Sequence, residues 1–198
     1  MHASGEQLGL VGVEPPHPTD GLFFAVFPDA GTAARMAVLA EALHGAHRLR
    51  GKPLLEERLH ATLHHLGNYV GLPPDLVASA IQAANRVCMP AFDVTFDCAS
   101  SFSGGRNRHP YVLLGTTNIE ALRALQHAIG EQIIAAGLGR HVERNFTPHV
   151  TLLYDDHEVA GQSIEPISWS VREFVLVRSL LGRAQHRRLG HWLLPGSD

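Results

Sequence analysis

Two segments of this chain are near copies of each other. One reads Arg58-Leu59-His60-Ala61-Thr62-Leu63-His64-His65-Leu66-Gly67, the other Phe146-Thr147-Pro148-His149-Val150-Thr151-Leu152-Leu153-Tyr154. Each sets His-x-Thr-Leu in an apolar, strand-like run, and the two histidines lie 89 positions apart (149 − 60). Successive side chains of a strand alternate between its faces. His60 and Thr62 therefore share one face and His149 and Thr151 another, with Ala61, Leu63, Val150 and Leu152 turned into a core. On the same alternation His64 shares the His60 face, and Tyr154 falls one register off the His149 face. A strand-helix-strand order precedes Gly67 and recurs from Tyr111 to Tyr154, so the chain reads as two related units, each carrying one such strand.

The bare triplet carries little weight in a chain with 14 histidines. His17-Pro18-Thr19 also fits it, and His2-Ala3-Ser4 fits its looser form. Both lie in the Gly- and Pro-rich stretch 1–20, read as a flexible extension before a folded unit over 21–198. The strand context and the one-per-half placement give the other pair its meaning.

The folded part opens with the buried-type strand Leu22 to Phe27. Asp29 caps a helix running to about His44, with Met36, Leu39, Ala40 and Leu43 on its apolar stripe. Pro73-Pro74-Asp75 opens a second helix, to about Val87. A strand follows from Phe92 to about Phe102, with Phe92, Val94, Phe96 and Cys98 on one face. Ser103 to Pro110 is a polar loop and Tyr111 to Leu114 a strand. A third helix, Ile119 to Ala135, carries the stripe Leu122, Leu125, Ile129 and Ile133 and ends at Gly137. Val171 to Leu181 and His191 to Leu194 read as the last strands.

With 45% hydrophobic and 18% charged residues the chain is an ordinary globular sequence. A net charge of −3 argues against a broad electrostatic grip on long nucleic acid, while a local basic cleft remains compatible with it. Cys88 and Cys98 have neither metal nor disulfide spacing, so a reducing, cytoplasmic setting is expected. No apolar run reaches membrane-spanning length, and no membrane partner is expected.

Paired imidazoles can move two protons in one reaction, one acting as base and the other as acid, each worth roughly 10² to 10⁴ in rate. The Thr62 and Thr151 hydroxyls can donate to the non-bridging oxygens of a phosphate. The scheme needs no metal or other cofactor. A metal hydrolase built on His60, His64 and His65 is a competing reading, but His64 and His65 fall on opposite strand faces and no carboxylate stands at ligand spacing. A catalytically idle RNA-binding module is a third. Further candidates for substrate contact are Phe24, His64, Arg144 and Tyr154. The Phe24 ring could stack a base if it reaches the cleft and otherwise belongs to the core. Arg144 stands just before the second motif, and the loop Arg106-Asn107-Arg108-His109 is basic. His186-Arg187-Arg188 reads as a solvated face.

The two segments resemble those of the 2H phosphoesterases, and within them the RNA 2′,3′-cyclic phosphodiesterase or 2′-5′ RNA ligase-like (LigT-like) branch. The resemblance rests on Leu22-Phe23-Phe24-Ala25-Val26, on Leu59 to Leu63 followed by Leu66-Gly67, on Phe146 to Leu152, on Phe174 to Ser179 and on His191-Trp192-Leu193-Leu194, in order from about Leu22 to Leu194. It implies a two-lobed α+β fold, with pseudo-two-fold antiparallel sheets lining a central cleft and helices on the outside. It implies hydrolysis of 2′,3′-cyclic phosphate on RNA ends or nucleotides to a 2′-phosphomonoester, with 2′-5′ ligation in some members; separately, a monomer without cofactor is expected. It further implies His60 as proton donor, His149 as proton acceptor, and Thr62 and Thr151 as phosphate ligands. A small cyclic nucleotide or an ADP-ribose cyclic phosphate is the alternative substrate. Family members often carry an Arg three residues after the second Thr. Tyr154 stands there in this chain, removing a bidentate cationic grip, and His64 could supply a compensating donor.

Overall fold

The structure, a computed structural model, describes residues 16–103 and 108–196. Arg106 and the stretch read as an extension, up to residue 15, lie outside the described residues. The boundary at residue 20 shifts. Asp20 is buried and already opens the first strand, its carboxylate 2.6 Å from the Arg178 guanidinium, and the Thr19 amide donates to the Tyr69 carbonyl. Thr19 and Asp20 belong to the fold.

Among the described residues, eight strands and three α-helices follow in the order β1 (Asp20–Val26), α1 (Ala30–Ala46), β2 (Ala61–Tyr69), α2 (Pro74–Ala84), β3 (Phe92–Ser101), β4 (His109–Leu114), α3 (Glu120–Ala135), β5 (His149–Asp155), β6 (Gln162–Val171), β7 (Glu173–Leu180) and β8 (Gln185–Leu193), with short 3₁₀ turns at Glu56–Arg58 and Gly139–His141. They make two four-stranded antiparallel sheets, ordered β2-β1-β7-β8 and β5-β4-β3-β6. This is the two-lobed α+β arrangement the resemblance implies. The units β1-α1-β2 and β4-α3-β5 correspond, and each histidine strand sits at the edge of its own sheet.

Local chemistry explains the helices. The Asp29 side chain accepts from the Thr32 amide at 2.9 Å and caps α1. Leu122, Leu125, Ile129 and Ile133 are wholly buried along α3, and Gly137 beyond its end takes φ +77°, a left-handed value that favours glycine. The helices also interlock the lobes. Although α1 joins β1 to β2, it packs on β5 and β6 of the other sheet, while α3 packs on β3 and β2. One continuous core, from Leu22 and Phe24 through Phe96, Leu113 and Leu152 to Phe174, runs through both sheets.

Strand β6 escapes the sequence pattern. Its polar alternation and Pro166 argue against a central strand, and β6 lies at a sheet edge, where proline costs no ladder bond. Beside it the β3–β6 register shifts between Phe96 and Cys98, so that Ala99, rather than Cys98, joins Val94 and Phe96 in the core.

Each histidine strand carries a β-bulge at the same point. Ala25 pairs with Thr62 and Phe24 with His64, leaving Leu63 over; Val112 pairs with Thr151 and Tyr111 with Leu153, leaving Leu152 over. A bulge inserts one residue and reverses the alternation beyond it. This corrects two expectations at once. His64 turns to the core face beside Phe24, and Tyr154 returns to the His149 face.

Candidate active site

His60 emerges just beyond the 3₁₀ turn at Glu56–Arg58, whose last carbonyls have no partner within the turn. Its Nδ1 lies 2.6 Å from the Arg58 carbonyl oxygen. His149 repeats the arrangement, its Nδ1 lying 2.7 Å from the Thr147 carbonyl oxygen, two residues back. A carbonyl can only accept, so in both neutral imidazoles the proton resides on Nδ1. Nε2, the lone-pair nitrogen, is in each case without a protein partner among the described residues. Thr62 and Thr151 share these faces through their pairing with Ala25 and Val112. Strands β2 and β5 lie against each other, and the charge of His149 acts on His60. The structure thus gathers His60, Thr62, His149 and Thr151 where the two edge strands meet.

The rings are set in aromatic surroundings. Phe23 stacks on His60 at 5.0 Å between centroids, Phe27 lies 5.3 Å away, and His186 meets the same ring edge-on at 5.2 Å. Phe102 meets His149 edge-on at 4.9 Å. Burial disfavours the imidazolium form. It pulls His60 down to about 4, the Arg58 carbonyl working against it, with the charges of His186, Arg58 and His149 adding to the depression. Burial also lowers His149, opposed by the Thr147 carbonyl. Unliganded, the pair is neutral at pH 7.

Phe24 is not at the cleft. It is fully buried, 6.2 Å from Phe174 and 6.0 Å from Trp192, on the core side of β1. Its neighbour Phe23 holds the cleft position. His64 is likewise removed from the cleft. It is 1% exposed, with Nε2 2.7 Å from the Gln126 carbonyl and Nδ1 3.2 Å from the Glu143 amide. The first contact requires a donor and the second an acceptor, so both ring nitrogens are satisfied in the neutral Nε2–H form. The metal-hydrolase reading fails on this geometry, because His64 faces away from His60. Among the described residues no group of three or more His, Cys, Asp or Glu is placed to hold a metal.

Tyr154 lies on the cleft side, 40% exposed, with the Arg108 guanidinium 5.6 Å over its ring. Arg144 is exposed beside α3, on a shallow depression it shares with Arg123 and Phe146, and none of the four gathered residues lines it. His186 is half-buried, not part of a solvated face. Only Arg187 and Arg188 of that cluster are exposed, and Arg188 is bonded to Glu173 at 2.7 Å. Alternation around Phe24 carries the signal for Phe23; nothing local in the sequence marks His186 or Phe102.

A fold of paired sheets that sets two His-x-Thr strands edge to edge defines the class of two-histidine phosphoesterases. The sequence profile described as the 2′-5′ RNA ligase superfamily matches residues 27–183. The chain belongs to this superfamily of phosphoesterases and ligases, in its LigT-like 2H phosphoesterase family. The E. coli LigT structure in apo form is 26% identical with a TM-score of 0.69, covering 90% of this chain and 99% of that one. E. coli LigT complexed with 3′-AMP is 27% identical with a TM-score of 0.67, covering 90% and 99%. A Thermus thermophilus protein, 21% identical with a TM-score of 0.71 over 90% of this chain and 100% of its own, shares the fold. Among curated protein sequences none matches. No helix among the described residues is long and apolar enough to cross a membrane.

Proposed function

We propose that this protein hydrolyses 2′,3′-cyclic phosphate at RNA ends or on nucleotides, leaving a 2′-phosphomonoester. The observation that carries the reading is the mirrored clamp. His60 and His149 each give Nδ1–H to the carbonyl two residues back, so each keeps Nε2 for the reaction. His149 Nε2 takes a proton from water as the water oxygen attacks phosphorus. The P–O3′ bond breaks, and His60 Nε2 gives its proton to the departing O3′. Thr62 and Thr151 donate to the non-bridging oxygens as charge builds on them.

His60 must enter this step protonated, against the burial that holds it near 4. An anionic phosphate beside it supplies the opposing charge and raises it. The likeness to E. coli LigT, solved with 3′-AMP and with phosphate, supports a phosphate ester as substrate, and its superfamily name extends the reading to 2′-5′ ligation as the reverse-type reaction.

The test is incubation with RNA ending in 2′,3′-cyclic phosphate, and with cyclic mononucleotides, in excess chelator, followed by location of the phosphate in the product. A 2′-phosphate formed at undiminished rate is expected. A 3′-phosphate product, or activity restored only by a divalent metal, overturns the reading.

A further inference from the structure

On the first lobe a cavity of about 680 Å³ opens beside His60, within the size range of small-ligand sites. Phe27, Leu59 and Val177 form apolar wall, with His186 and Arg188 among its polar groups. Glu56 and Glu57 stand exposed on the lining. None of its lining residues comes from β3, β4, β5 or β6, so it lies wholly on the His60 side of the pair.

Two basic side chains flank that side without partners. The Arg58 Nε and the His186 Nδ1 are buried and make no hydrogen bond, and no ion pair to either side chain occurs among the described residues. Buried polar groups are nearly always satisfied, so such an orphan pair marks a place where a bound group completes the structure. Their positions relative to the reaction centre differ from that of His149. The His186 ring meets the His60 ring edge-on at 5.2 Å and lines the cavity, the Arg58 carbonyl holds His60 Nδ1 at 2.6 Å, and none of Thr62, His149 and Thr151 lines the cavity. They therefore flank His60 on the cavity side, a side that neither Thr62 nor Thr151 lines.

We propose that Arg58 and His186 form a second anion subsite, which takes the 5′-phosphate or 5′-phosphodiester of the nucleotide whose cyclic phosphate is opened, with the adjoining cavity receiving the chain beyond it. This rests on the cyclic phosphodiesterase reading and narrows its substrate class. An RNA end, or a nucleotide bearing a 5′-phosphate, is preferred over a bare nucleoside cyclic phosphate.

Binding and turnover separate the two ideas. Calorimetric Kd values for adenosine 2′,5′-bisphosphate and adenosine 2′-phosphate report the subsite without chemistry. In the wild-type protein the bisphosphate binds tighter by about 10-fold or more, the value of one charge-assisted hydrogen bond. That ratio collapses towards 1 in Arg58→Gln and in His186→Asn, and Arg58→Lys retains part of it. Each ratio is internal to one variant, so loss of folded protein cannot imitate it, and either substitution carries the test if the other fails to fold. Equal wild-type affinities, or a ratio unmoved in both variants, overturn the subsite. If the ratio behaves as expected while cyclic phosphates are not turned over, the hydrolase reading falls and the anion subsite stands.

Discussion

Leu63 and Leu152 occupy equivalent points in the two lobes, each the unpaired residue of a bulge immediately after the threonine of its motif. The coincidence has a function in the geometry. A regular strand would keep every second side chain beyond Thr62 and Thr151 on the cleft face, and the bulge replaces that row with a new one starting three residues after each threonine. His65 and Tyr154 thereby become the equivalent cleft-side positions. The Leu152 carbonyl accepts the Leu54 amide at 2.7 Å, bonding the second motif strand to the segment that leads into the first motif.

Loss of either paired imidazole removes acid or base catalysis outright. His60→Ala and His149→Ala are each expected to lower kcat by about 10² to 10⁴ while unfolding at a temperature close to wild type. A near-normal rate in either variant excludes the paired scheme.

The pH profile of kcat/KM follows from the depressed imidazoles. The productive free enzyme holds one proton between the two rings. With His60 near 4 and His149 also lowered, that form is most abundant on the acid side of about 6.5, the ordinary histidine value. A bell with its maximum below that pH is expected, and a maximum above pH 7 contradicts it. Stability carries the matching signature. Between about 6.5 and about 4 the unfolded chain binds a proton at His60 that the folded chain does not, so the folded state weakens as pH falls across that window. Denaturant titrations of wild type and His60→Gln should converge as pH is lowered.

Phe23 and Phe24 are neighbours with opposite duties. Phe24→Ala empties a wholly buried site among Phe174 and Trp192 and is expected to cost about 3–5 kcal/mol of stability. Phe23→Ala removes the ring stacked on His60 and should lower kcat with a smaller loss of stability. A thermal melt and a rate measurement on each variant separate the two roles.

His64→Leu leaves the Glu143 amide and the Gln126 carbonyl without the contacts His64 gives them. The expected loss is about 2 kcal/mol or more. The readout is urea unfolding, with amide exchange showing faster opening over residues 138–147, the approach to the second motif.

Asp155 accepts the amides of Arg50 and Gly51, each at 2.6 Å, and that of His157 at 2.9 Å. Burial works to raise its carboxyl, but the backbone donors prevail and bring it to about 2. The stability it contributes is full above the unfolded carboxylate value of about 3.9 and is lost as pH falls towards 2. Asp155→Ala should cost about 3 kcal/mol and flatten that acid limb in pH-dependent denaturation. Gly51→Ala tests the same crossing point sterically, because a Cβ there would run into the Tyr154 carbonyl oxygen.

What the sequence made legible divides along physical lines. Three helices, both motif strands and the duplication were readable, because capping, 3.6-residue periodicity and alternation are local signals: Asp29 and the Leu122–Ile133 stripe behave as their chemistry dictates. The first failures share one cause. Parity alone puts His64 on the His60 face and Tyr154 off the His149 face, and parity holds only until a strand bulges, which is decided by pairing with β1 and β4 across the sheet. Strand β6 leaves little trace in the sequence because an edge strand needs little apolar surface and tolerates Pro166. His186 meets His60 only after β8 folds back along β7, a contact between residues 126 apart (186 − 60) that no window of sequence contains.

The helix exchange between the lobes bears on how the molecule comes apart. Because α1 covers β5 and β6 of the other sheet, while α3 packs on β3 of its own sheet and reaches β2 of the other, each sheet is shielded in part by a helix of the other repeat. Cutting the chain between Tyr69 and Phe92 would separate each half from part of its cover, so the repeats are duplicates in topology but not independent folding units. A single cooperative transition is the thermodynamic result, and the two histidines, held by one shared core, are lost together and never one at a time.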